Sequence, residues 1–186
     1  MLAVVLALVA GAAIWMRGRG LTSRRDPWPL EASAARSARR YLTPAEIRNA
    51  PNPAPDSVES VRAGMAHFAD HCASCHANDG SGDVSLGRSM FPKAPDMRAS
   101  ATQSMTDGEL FYAIENGIPL SGMAAWGNGT EQGRLASWEL VRFIRHLSQM
   151  TDAEMKEMES LNPRSPAEEK RAKDINDFLS GKGGEQ

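Results

Sequence analysis

Apolar residues fall into one unbroken run and several stretches of helical period, with proline and glycine between them. Leu2 to Met16 is apolar throughout and is closed by Arg17 and Arg19. As a helix this run reaches about 22 Å, short of a ~30 Å hydrocarbon core. It reads as an uncleaved membrane anchor with Trp15 at the interface, in preference to a secretory signal with its small-residue site at Ala10-Gly11-Ala12. No basic residues precede the run, so the chain is expected to begin a few residues upstream. The arginines follow the apolar segment, against the usual charge pattern for a domain held outside the cytoplasm.

From Leu30 to Leu42 the pattern is amphipathic. Leu30, Ala34, Ala38, Tyr41 and Leu42 form one stripe, and Arg36, Arg39 and Arg40 fill another side. Two readings stand: a basic helix lying in the membrane interface, and a solvated connector. Ala50-Pro51-Asn52-Pro53-Ala54-Pro55 cannot continue a helix and is expected to be an extended spacer marking a domain boundary. Asp56 with Glu59 then resembles a capping box, opening a helix on which Val58, Val61, Met65, Phe68 and Cys72 recur. Thr106 with Glu109 opens a short helix closed by Gly117. A last domain helix is expected over about Gly133 to Gln149, with Leu140, Phe143 and Leu147 on one stripe and Trp138, Val141, Ile144 and Arg145 on the next. A helix apolar over two faces is buried between partners. Beyond it lies a charged tail, with helices expected from Thr151 and over Ala167 to Leu179, a fraying end over 181–186, and a solvated setting in preference to docking on a partner. The expected fold class is all-α. The expected divisions are 1–20 (anchor or signal), 21–55 (basic helix and proline-rich linker), 56–150 (the functional domain) and 151–186 (the tail).

Charge sharpens this division. Residues 1–56 carry eight arginines against four acids, and residues 57–186 carry thirteen bases against nineteen acids. A basic front end suits an anionic membrane surface, and an acidic body suits basic protein partners. No nucleic-acid partner is expected.

The chemistry lies in Cys72-Ala73-Ser74-Cys75-His76. Cys-x-x-Cys-His is the pattern of covalent haem attachment. One helical turn presents both thiols to the two vinyl groups on one haem edge, and the imidazole that follows can rise beneath the iron. A thioredoxin-like dithiol would need a βαβ setting that is missing here. A zinc site would need a second cysteine pair, and the chain has only two cysteines. His67 and His71 read as surface or haem-edge residues rather than ligands.

With this motif the chain resembles the monohaem class I c-type cytochromes of the membrane-anchored bacterial type. The resemblance extends to Gly64 and Phe68, eight and four residues before Cys72, where the family has a small residue and an aromatic. It implies a fold in which the first and last domain helices cross around one covalent haem c, with iron ligated by His76 and by a methionine. Of the ten methionines, Met90, Met97, Met105 and Met123 lie in the right part of the chain. Met123 is the expected distal ligand, because Gly122-Met123-Ala124-Ala125-Trp126 resembles the family's Gly-Met-Pro-aromatic loop, with Ala124 replacing the proline. The family also implies a proline carbonyl accepting the Nδ1–H of the proximal histidine; Pro92 and Pro95 are candidates, with Pro95 favoured. The implied role is one-electron transfer, without enzymatic activity of its own, in a respiratory chain on the periplasmic side of the bacterial cytoplasmic membrane, between a reductase complex and a terminal acceptor. The alternative is a cytochrome c subunit of a larger membrane oxidoreductase.

Overall fold

The computed structural model describes residues 1–20, 22–164 and 166–180. No strand occurs among them. The long helices are α1 (Leu2–Arg19), α2 (Pro29–Leu42), α3 (Val58–His67), α4 (Asp107–Asn116), α5 (Glu131–His146), α6 (Asp152–Leu161) and α7 (Pro166–Leu179). Short helical turns at Ala45–Arg48, Ala73–His76, Ser85–Ser89 and Ser100–Gln103 join them. Residues 181–186, where a fraying end is expected, lie outside the described residues.

The core is built from α3, α4 and α5. Phe68, Leu140, Val141, Phe143 and Ile144 are all almost fully buried, as the two-stripe pattern of the last helix requires. The Phe68 and Phe143 rings stand 5.1 Å apart, and Phe111 stacks on Trp138 at 4.1 Å. Aromatic pairs at these separations add to the area they bury. Gly64 makes the α3–α5 approach possible: an added Cβ would lie 2.6 Å from the Glu139 carbonyl carbon. The Arg145 guanidinium binds Asp107 Oδ1 through Nε (2.9 Å) and Nη2 (2.8 Å), and donates to the Gln103 carbonyl at 2.8 Å. It thereby ties the end of α5 to the start of α4.

Helix starts follow side-chain capping. Thr106 accepts from the Glu109 amide at 3.1 Å while Glu109 Oε2 accepts from the Thr106 amide at 2.8 Å, and Thr151 with Glu154 repeats the arrangement. At α3 the cap differs from expectation. Ser57, not Asp56, is the N-cap, its hydroxyl accepting from the Ser60 amide at 3.3 Å. Val58 on the expected apolar stripe is two-thirds exposed. The regular helix also ends at His67, and Phe68–Cys72 forms a wider π-helical turn.

Two segments expected to stand free are packed. The proline-rich stretch lies along α5: Ala54 is 1% exposed, its carbonyl accepts from Arg142 Nε and Nη2 at 3.1 and 2.8 Å, and Asn52 Nδ2 donates to the Trp138 carbonyl at 3.0 Å. Alternating prolines remove backbone donors from the segment, while its carbonyls and Asn52 still bind the helix. In the tail, Met158 on α6 is fully buried in the core, and Glu154 lies 2.8 Å from His146 Nε2. A few apolar residues spaced through a charged helix are a faint sequence signal, yet Met158 seats α6 against the core.

Candidate haem site

The π-turn and the Ala73–His76 turn carry the motif. Cys72 and Cys75 are free thiols, both half-buried, and the His76 side chain is buried. His76 lies with its ring centroid 6.4 Å from that of Phe68, so the core aromatic backs the imidazole. The chain reverses directly afterwards. Ala77 takes φ 61°, and the Gly82 amide donates to the His76 carbonyl at 2.8 Å. The following loop folds back on the motif: a Cβ at Gly87 would run into the Cys75 carbonyl, and one at Gly82 would lie 3.1 Å from the Pro95 carbonyl. Glycine at these two positions therefore brings the 91–97 segment beside the imidazole.

Burial holds the His76 imidazole below the ordinary histidine pKa, favouring the neutral ring, while the Pro95 backbone pulls the other way. The Nδ1 atom is buried and has no completed hydrogen bond. A neutral imidazole is the metal-binding form, and Nδ1 faces a backbone that can orient the ring. Of the two candidate prolines, the structure brings Pro95 to His76. The Cys72 thiol is pushed up to about 12 by burial and by the neighbouring Cys75.

The second half of the candidate site is the loop after α4. Gly117 ends the helix at φ 68°, and a Cβ there would lie 2.8 Å from the Met123 carbonyl. The Ile118 amide donates to the Met123 carbonyl at 3.0 Å, and Ser121 Oγ accepts from the Met123 amide at 3.2 Å. The Trp126 and Gly127 amides donate to the Ile114 and Glu115 carbonyls at 3.0 and 3.1 Å. This closed loop holds Met123 half-buried against the core. Ala124, in place of proline, sits inside a loop already fixed by these bonds. The Trp126 ring lies 5.1 Å from His71, which joins the loop to the motif helix. His71 is in turn 5.0 Å from His67, and both rings lie along this edge.

The other methionines separate by position. Met97 is buried in the core, and the Met105 sulfur receives Arg39 Nη2 at 3.6 Å. Met90 packs on the loop itself, its Sδ 2.6 Å from where a Gly122 Cβ would stand. A second thioether thus lies against Gly122, the chain neighbour of Met123, which position in the chain alone did not single out.

Two thiols on one turn, a buried neutral imidazole with an unsatisfied Nδ1 and a thioether-bearing loop form a donor set that fits haem c. The all-helical domain and this site define a c-type cytochrome. Residues 59–144 match the family described as cytochrome c oxidase, cbb3-type, subunit III. These residues form a c-type cytochrome domain, which binds haem c covalently and serves haem electron transfer.

Proposed function

We propose that the domain is a one-electron carrier of the class I type, with first and last helices crossed around the haem. In this reading Cys72 and Cys75 hold the haem edge, His76 and Met123 are the axial ligands, and Pro95 orients His76. A histidine–methionine pair fills both axial positions and raises the potential, which suits electron transfer over ligand chemistry. The observation that carries the reading is the closed 117–127 loop presenting Met123 beside the motif helix through Trp126 and His71. The residues then have plain tasks. Phe68, packed on Phe143, backs the imidazole and excludes water, and the Gly117 turn fixes the thioether loop.

The carrier works on the periplasmic face of a bacterial cytoplasmic membrane, held there by α1. Among the described residues, no helix is long and apolar enough to cross a membrane. The support for α1 as an anchor is its composition and the exposure of its apolar side chains all round. A second reading, a cytochrome subunit within a larger membrane oxidoreductase, is favoured by the family that residues 59–144 match. A stoichiometric partner that co-purifies after mild solubilisation would select it over a carrier moving between a reductase complex and a terminal acceptor.

Carbon monoxide tests the ligation. The reduced native protein should keep its spectrum under the gas, and Met90→Ala should behave likewise, whereas Met123→Ala should bind it at once. Native protein that binds carbon monoxide readily would overturn the closed-iron reading. A response in Met90→Ala alone would move the ligand to the neighbouring sulfur.

A further inference from the structure

Helix α2 sits on the haem domain with its faces reversed from the usual order. At about 100° per residue, Leu30, Ala34, Ala38, Tyr41 and Leu42 share one side, and Ala32, Arg36, Arg39 and Arg40 lie opposite. A surface helix normally buries the first set. Here the basic side faces the domain. Arg39 Nη2 reaches the Met105 sulfur at 3.6 Å, and Arg40 Nε lies 3.5 Å from Glu109 Oε1. A cavity of about 210 Å³ remains between this side and α4. The apolar side points away from the protein: Leu30 is 79%, Tyr41 85% and Leu42 72% exposed. No residue of α2 is buried.

The start of α2 meets α1. The Trp15 and Trp28 rings meet at 5.0 Å, edge to face, and so connect the apolar run of α1 with the first turn of α2. Leu30 follows Trp28 by two residues, and Tyr41 and Leu42 close the stripe at the far end. Around it the chain is basic: residues 1–56 carry a net charge of +4, with eight arginines against four acids. Aliphatic residues flanked by Trp and Tyr, with Arg17, Arg19, Arg24 and Arg25 just ahead of them, are what the boundary between acyl chains and anionic headgroups accommodates.

We propose that α2 lies flat on an anionic lipid surface with its Leu30–Leu42 stripe in the acyl boundary and the haem domain carried on its opposite, arginine side. Basic segments gain from negative lipid, and that charge match together with continuity to α1 selects lipid over a second copy of the chain. The inference rests on the reading of α1 as a membrane anchor and adds a distinct role for α2. An anchor alone leaves the domain free to tumble on its tether; a docked α2 fixes which side of the haem domain faces the membrane.

The test uses the full haem-loaded chain, reduced to the diamagnetic ferrous state, with a nitroxide at Ala34→Cys on the stripe or at Glu46→Cys beyond the helix. Collision rates with oxygen and with a water-soluble nickel chelate are read in vesicles of phosphatidylglycerol with phosphatidylethanolamine, and in phosphatidylcholine alone. At position 34 the nickel rate should fall several-fold and the oxygen rate rise in the anionic vesicles, less so in phosphatidylcholine, while position 46 stays aqueous. Adding Leu30→Glu and Leu42→Glu should return position 34 to water while the protein still floats with the vesicles. If native protein floats but position 34 stays aqueous, the α2 surface is wrong and the anchor stands. If the protein does not float, the anchor reading fails and this inference with it. Shielding of position 34 without lipid, with dipolar broadening between two labels, would assign the stripe to a second copy and overturn the lipid surface.

Discussion

Gly64 on α3 lies directly against the backbone of Glu139 on α5: a Cβ at position 64 would stand 2.6 Å from the Glu139 carbonyl carbon and 2.9 Å from Phe143 Cβ. The nearest obstacle is main chain, which cannot rotate aside. Gly64→Ala must therefore separate the two helices that enclose Phe68 and Phe143, and with them the backing of His76. Overpacking of this kind costs about 1–3 kcal/mol, occasionally more. The expected outcome is a lower denaturation midpoint for the ferric haem-loaded protein and reduced haem incorporation. Unchanged stability in Gly64→Ala would show that α3 and α5 have slack that their packing does not suggest.

The parts of this fold that a reader of the sequence can find are those with local chemical rules. The caps at Thr106 and Thr151 are of this kind, since each depends on two residues three apart. The double apolar stripe of α5 is another, because 3.6-residue periodicity marks burial directly. At Asp56 the same rule misleads by one position, since Ser57 offers an equally good cap and the chain takes it. The π-turn at Phe68–Cys72 leaves no trace in periodicity, because apolar spacing at 68 and 72 is the same for a continuing α-helix. Long-range packing was the least visible. Ala54 and Met158 are ordinary residues in polar, proline-rich or charged surroundings, and only the groove that α5 and the π-turn offer them decides their burial. In the site, the motif and the Met123 loop stand out in the chain; the nearness of Met90 to Gly122 arises from loop folding and has no local signature.

Glu115 links the thioether loop to the core. Its Oε1 accepts from Ser137 Oγ at 2.6 Å, its carbonyl accepts from the Gly127 amide, and its Oε2 crowds the Gly127 Cα so that a Cβ there would lie 2.6 Å away. Removing the carboxylate leaves the buried Ser137 hydroxyl without its acceptor, a loss on the order of 1–3 kcal/mol. On the proposed ligation, Glu115→Ala should loosen the loop carrying Met123 without touching Cys72, Cys75 or His76. Carbon monoxide binding to the reduced protein should become measurable, where the native chain keeps its spectrum, at equal haem content per chain. Glu115→Gln, which keeps an acceptor for Ser137, should recover most of the native behaviour. Loss of haem in Glu115→Ala would instead point to a role in the attachment half of the site.

On the proposed attachment, the haem-free chain holds Cys72 as a thiol. Burial and the adjacent Cys75 push it up to about 12, whereas an unfolded cysteine ionises near 8.5–9. The sign follows from proton count. Below about pH 9 both folded and unfolded chains carry the proton, and the folded state keeps this contribution in full. Between about 9 and 12 the unfolded chain releases its proton and the folded chain does not, so stability of the haem-free fold falls as pH rises through that window. Reactivity follows the same order. The thiolate is the species that alkylates and that attacks the disulfide of an oxidant, so a protonated Cys72 is slow to be oxidised onto Cys75 by such a disulfide, and on the proposed attachment both sulfurs stay reduced for the two vinyl groups. In the haem-free chain, iodoacetamide should modify Cys72 many-fold more slowly in buffer at pH 8 than in strong urea, with the gap narrowing towards pH 12. Equal rates in buffer and in urea would mean that the fold does not hold Cys72 protonated, and would remove this protection from the account of haem attachment.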